Sequence, residues 1–159
     1  DGPRVRVEGR GDLDVAAISA PGDDVSFDAD VQGEGSYAVL LRARGGRDGI
    51  GIGLRVVPGD AHSPARIALV EVTVTDPRGA GAPTAVRELA QSSALTRVDH
   101  VHVEVKRSTI RAVCTHRGRP PQSASLEAPV PAHQAHGDVA LVVKKGTSLE
   151  LSGVTLRRN

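Results

Sequence analysis

Apolar and polar residues alternate along most of this chain with a period of two, the spacing of a strand that buries one face. The clearest case is residues 98–116, VDHVHVEVKRSTIRAVCTH. Val101, Val103 and Val105 alternate there with His100, His102, Glu104 and Lys106. Arg107, Ser108 and Thr109 interrupt the pattern, and Ile110, Ala112 and Cys114 resume it. Two antiparallel strands joined by a short turn are predicted.

The same spacing predicts strands at 4–8 (RVRVE), 25–31 (VSFDADV), 37–44 (YAVLLRAR), 50–57 (IGIGLRVV), 66–75 (RIALVEVTVT), 138–143 and 148–156, and a weaker one at 13–18. Gly- and Pro-rich stretches between them supply the turns. Residues 86–95 (VRELAQSSAL) fit either a helical turn or a short strand. Near the end, Leu149 and Leu151 share a phase that Val154 and Leu156 miss by one residue. A β-bulge at Ser152-Gly153 would restore the inward face. Gly51 and Gly53 alternate with Ile50, Ile52 and Leu54, which predicts a bulge or a close approach by another backbone or a ligand. The GIGIG run is no dinucleotide fingerprint, because the third glycine and a following helix are lacking. If 25–31 and 37–44 pair as neighbours, Arg42 and Arg44 lie opposite Asp28 and Asp30 and help to fix the register.

Composition sharpens this into an all-β reading. A length of 159 residues suits one domain, 1–159, with a two-layer core. Eighteen Gly and ten Pro, with a predominance of branched aliphatics, favour an antiparallel two-sheet β-sandwich over a helical fold. Phe27 and Tyr37 are the only aromatic residues, so Val, Leu, Ile and Ala must fill the core.

Charge excludes one class of partner. Twenty basic and nineteen acidic residues leave a net charge of +1, too little to draw nucleic acid by a long-range field. Single strands would also need aromatic platforms to stack on. No run is long enough to span a membrane. There is no signal-peptide pattern, and a start at Asp1 fits a piece of a larger protein. The lone Cys114 lies on the apolar side of its strand and reads as a small buried hydrophobe. A nucleophilic role with His116 has nothing further to support it. Arginine outnumbers lysine by about six to one, which fits a GC-rich bacterial coding sequence.

From Tyr37 onward the ordered segments are LLRAR (40–44), DGIGIGL (48–54), VDHVHVEV (98–105), IRAVCTHRG (110–118), GDVALVV (137–143) and LELSGVTLRR (149–158). Together they resemble the laminin-G-like or concanavalin A-like jelly-roll modules, including the bacterial family related to 3-keto-disaccharide hydrolases. The resemblance spans about three-quarters of the chain. It departs at aromatic positions: Val98 or Asp99 stands where Trp is usual, and Leu151 where Phe is. Sugar binding by stacking is weakened accordingly. The resemblance implies a concanavalin-like jelly roll, attached to an extracytoplasmic or cell-surface protein, that recognises a glycan or a protein partner.

Three chemistries follow from particular residues. His100, His102 and Glu104 are alternate residues on one polar strand face, and two imidazoles two residues apart stand about 7 Å apart at Cα, a spacing zinc sites use. A solvated strand face accounts for the same pattern. Together with Arg42 and Arg44 these residues are the candidate ligand contacts. The resemblance implies calcium at the sandwich rim, for which Asp23, Asp24, Asp48 and Asp60 are the candidates; turn-forming aspartates explain them more simply. A glycosidase needs paired carboxyl groups, and Glu71, Glu88 and Glu104 are isolated in sequence, so no catalytic residue is assigned.

Overall fold

The computed structural model describes residues 4–9, 13–18, 24–44, 48–75, 84–130, 138–144 and 146–158, and every regular element among them is a strand. In chain order these are β1 (Arg4–Glu8), β2 (Leu13–Ile18), β3 (Val25–Glu34), β4 (Tyr37–Arg44), β5 (Asp48–Val57) and β6 (Ala65–Thr75). Then follow β7 (Thr84–Leu95), β8 (His100–Lys106), β9 (Thr109–His116), β10 (Gln122–Pro129), β11 (Asp138–Lys144) and β12 (Ser148–Arg158).

The strands form two antiparallel sheets. The first runs β1-β12-β3-β8-β9-β10 and the second β2-β11-β4-β5-β6-β7. This is the expected β-sandwich. The two layers share one apolar core: Val25, Phe27, Val103 and Ile110 from the first sheet meet Leu41, Ile52, Leu54 and Leu69 from the second, all fully buried. Phe27, the largest of the fully buried side chains, stands at the centre of the first sheet.

The central hairpin is tighter than expected. Lys106 pairs with Thr109, so the turn is Arg107-Ser108 alone, and Arg107 takes the positive φ of 58°. Residues 84–95 resolve to the strand alternative, with a register shift opposite Leu69 and Val70. Strand β10 is an element the sequence reading lacks. Its inward residues Ala124, Leu126 and Ala128 carry little apolar volume between Ser123, Ser125 and Glu127, so the alternation is faint.

The expected pairing of Arg42 and Arg44 with Asp28 and Asp30 does not form. Strands β3 and β4 are consecutive but lie in opposite sheets. β3 is flanked on both edges, by β12 and β8, which leaves β4 no place beside it. The apolar faces of β3 and β4 meet across the core instead, where both are dry. The chain leaves β3 at Gly35, whose φ of 98° suits glycine.

The bulge in β12 is where the phase change placed it. The register with β3 shifts between Ser152 and Thr155, and Gly153 has a φ of 61°. Val154 and Leu156 pack against the core beyond it. Gly53 meets the expected backbone approach, since a Cβ there would stand 2.7 Å from Cα of Leu40 in the neighbouring strand. The second sheet is apolar on both sides, because Ala38, Leu40, Ala68, Val70, Val72 and Val142 form a separate buried cluster.

Candidate functional site

The outer face of the first sheet is polar, and its centre is a ladder of carboxylates and imidazoles. The register places Asp30 directly across from His100 and Asp28 directly across from His102. Both strands face inward with Val25, Phe27, Ala29, Val101, Val103 and Val105, so the intervening residues must face out.

The contacts run without a break. Nδ1 of His100 lies 2.7 Å from Oδ1 of Asp30, and its Nε2 lies 2.9 Å from Oδ1 of Asp28. Asp28 then uses Oδ2 at 2.9 Å from Nδ1 of His102. Nε2 of His102 stands 3.6 Å from Oε2 of Glu104. At the other end Nη2 of Arg117 donates to Oδ1 of Asp30 at 2.6 Å. The order is therefore Arg117, Asp30, His100, Asp28, His102, Glu104. All but Arg117 are half-buried; Arg117 comes from the turn after β9 and is 60% exposed at its side chain.

The contact with His100 holds the Asp30 carboxyl below the usual carboxylate range, helped by Arg117 and opposed by partial burial. Asp28 has one oxygen against each ring, a hydrogen bond to His102 and a 2.9 Å contact with His100. The face thus presents fixed acceptors and donors at the two-residue spacing along the strands and the interstrand spacing across them, about 7 Å by 5 Å.

A second cluster braces the Arg117 end. Asp99, between β7 and β8, accepts hydrogen bonds from Nε of Arg97 at 2.7 Å and from the backbone N–H of Arg117 at 2.7 Å. Nδ1 of His116 lies 2.9 Å from the same carboxylate. Burial pushes the Asp99 carboxyl upward, and Arg97, the Arg117 N–H and His116 together outweigh it and bring it down to about 2. The Asp99 backbone also bonds to Thr115 and Val31. Arg117 is therefore held at its own N–H and at its guanidinium.

The sequence-predicted contacts separate into two groups. His100, His102 and Glu104 stand together in the ladder. Arg42 and Arg44 belong to β4 in the other sheet, and their side chains lie outside the described residues. Sequence reasoning missed Asp28, Asp30 and Arg117 as members. The only signal was that Asp28 and Asp30 share the two-residue spacing of His100 and His102; nothing local joins residues 70 and 74 positions apart.

The aspartates proposed for calcium have other tasks where they are described. Oδ1 of Asp24 accepts the backbone N–H of Arg107, and Oδ1 of Asp60 accepts those of His62 and Ser63 in a local turn. Asp48 and Asp60 flank opposite ends of the ten-residue β5, about 30 Å apart, and cannot share an ion. Asp23 and the side chain of Asp48 lie outside the described residues. Among the described residues no group of three or more His, Cys, Asp or Glu is arranged to hold a metal ion. Cys114 is fully buried in the core, and burial pushes its thiol up to about 12.

No protein-family model and no curated protein matches the chain in sequence. Solved structures match it in shape. The CBM2 module of the evolved Dit of Lactobacillus casei BL23 phage J-1 superposes with a TM-score of 0.53 at 8% identity, over 98% of this chain and 79% of that one. The likeness is one of fold. A protein of unknown function from Saccharomyces cerevisiae follows at a TM-score of 0.48 and 14% identity, over 98% of this chain and 88% of that one. The alginate lyase of Klebsiella pneumoniae has a TM-score of 0.47 at 8% identity, over 86% of this chain and 60% of its own.

Proposed function

We propose that this domain is a non-catalytic recognition module that binds a glycan on the outer face of its first sheet. The observation that carries the reading is the continuous ladder from Arg117 to Glu104. Sugars without an aromatic platform must be held by hydrogen bonds, and a carboxylate–imidazole–guanidinium row supplies acceptors and donors in fixed positions. Phe27 and Tyr37 are both buried, so stacking has no place in it. The likeness in fold to a carbohydrate-binding module is compatible with this role, as is the resemblance to laminin-G-like and concanavalin-like modules. By that resemblance the domain serves an extracytoplasmic protein larger than itself.

Binding of a single sugar unit is expected to be weak. Three or four hydrogen bonds at about 0.5–1.5 kcal/mol each give a dissociation constant of about millimolar. Multivalent display lowers the apparent constant to a measurable level. A protein partner is the less favoured reading, because the only large hydrophobics exposed among the described residues are Val5 and Val86, on edge strands of different sheets.

The test is a glycan array probed with the purified domain, with and without calcium, beside the Asp28→Ala variant. Binding to one saccharide class that is independent of calcium and lost in the variant supports the ladder. Calcium-dependent binding that survives the variant would move the site to the rim aspartates. A blank array in both conditions rejects the glycan reading.

A further inference from the structure

Within the ladder, Asp28 and Asp30 are occupied differently. Asp28 has one oxygen on each histidine. Asp30 receives both His100 and Arg117 on Oδ1, and among the described residues no hydrogen bond reaches its Oδ2. That oxygen faces the bulge of β12. A Cβ built on Gly153 would have Oδ2 of Asp30, at 3.9 Å, as its only neighbour within 4 Å. The glycine thus leaves an opening beside the one carboxylate oxygen of the pair that no donor among the described residues reaches. Arg117 has one Nη on Asp30 and is otherwise exposed. The acceptor oxygen toward β12 and the guanidinium on the other oxygen of the same carboxylate belong to side chains that are 36% and 60% exposed.

Such a pair matches two adjacent hydroxyls, one donating to the carboxylate oxygen and the other accepting from the guanidinium. It does not match an acidic sugar. The ladder holds three carboxylates, of Asp28, Asp30 and Glu104, against one fixed cation, Arg117; the sum is −2 with both histidines neutral and 0 with both protonated. Of the further cations on this face, Arg4 stands across β12 in the row of Asp30 and is paired with Glu150 at 3.5 Å, and Arg111 stands between Glu104 and Glu127 in register. Arg157 lies opposite Ser26, one row from Asp28. A carboxylate or sulfate at the opening would meet the Asp28 and Asp30 carboxylates, while the cations within reach, Arg117 and Arg4, are each already paired with a carboxylate.

We infer that the ladder selects neutral saccharides bearing a vicinal diol, read by Asp30 and Arg117 at the opening over Gly153, and rejects uronates and sulfated sugars. This rests on the glycan reading of the same face.

The probes are yeast mannan, the same mannan after mild periodate oxidation, polygalacturonate and heparin, each immobilised and titrated with the domain at physiological salt. Untreated mannan should bind at least tenfold more tightly than either acidic polymer, and periodate, which cleaves vicinal diols, should abolish its binding. Arg117→Gln, at an exposed position, and Asp30→Asn should each weaken mannan binding about tenfold while circular dichroism stays unchanged. Equal or tighter binding of polygalacturonate or heparin overturns the inference and leaves the glycan reading standing. So does mannan binding that survives periodate. Failure of all four polymers to bind overturns both.

Discussion

Asp99 and Arg117 are joined through the backbone: the N–H of Arg117 donates to Oδ2 of Asp99 at 2.7 Å. The bond ties the segment before β8 to the turn after β9, and so seats the side chain that closes the ladder on Asp30. Asp99 is held at about 2, below its ordinary 3.8. A depressed carboxylate stabilises the folded state above its unfolded value and loses that contribution as pH falls through the folded one. Wild type should exceed Asp99→Asn by roughly 1–2 kcal/mol at pH 7, with the difference shrinking between pH 4 and pH 2. Urea denaturation of both proteins across that range checks it, and a pH-independent gap would contradict it.

The two glycines of β5 should respond unequally to a methyl group. A Cβ on Gly53 would fall 1.8 Å from the carbonyl oxygen of Val39, which is backbone and cannot turn aside. On Gly51 it would first meet Cδ1 of Leu40 at 2.8 Å, the far end of a flexible side chain. Gly53→Ala is expected to cost several kcal/mol or prevent folding, and Gly51→Ala about 1–3 kcal/mol. Thermal melts of the two variants decide the order.

Gly153 separates two phases of β12. Deleting it would swing Val154 and Leu156 to the outer face, a one-residue slip that reverses every side chain beyond it. The deletion should cost more than the substitution Gly153→Asn, since Asn tolerates a φ of 61°. Equal melting temperatures for deletion and substitution would show that the bulge does not set the phase.

Cys114 should be chemically silent in the native state. Its thiol is fully buried and raised to about 12, so thiolate is scarce near neutral pH. A disulfide reagent such as Ellman's should titrate one thiol in denaturant and essentially none without it. Fast reaction of the native protein would reopen a reactive role.

Most strands were legible because a half-buried strand writes its burial into the sequence directly, as in Val101, Val103 and Val105. The bulge at Gly153 was legible for the same reason, as a slip in that alternation. Strand β10 was not, because Ala124 and Ala128 bury too little to mark a face. Sheet membership was also hidden, and the expected Arg42 and Arg44 pairing with Asp28 and Asp30 failed on it. A period of two says which side of a strand is dry but not which strand lies beside it.

The sequence by itself determined the strand faces, the turns and the placing of His100 and His102 outward, since these follow from local alternation and turn chemistry. Only the tertiary structure decided that Asp28, Asp30 and Arg117 join them. That choice belongs to strand pairing across 70 residues and more, which depends on how two apolar faces close on one core and on no local pattern.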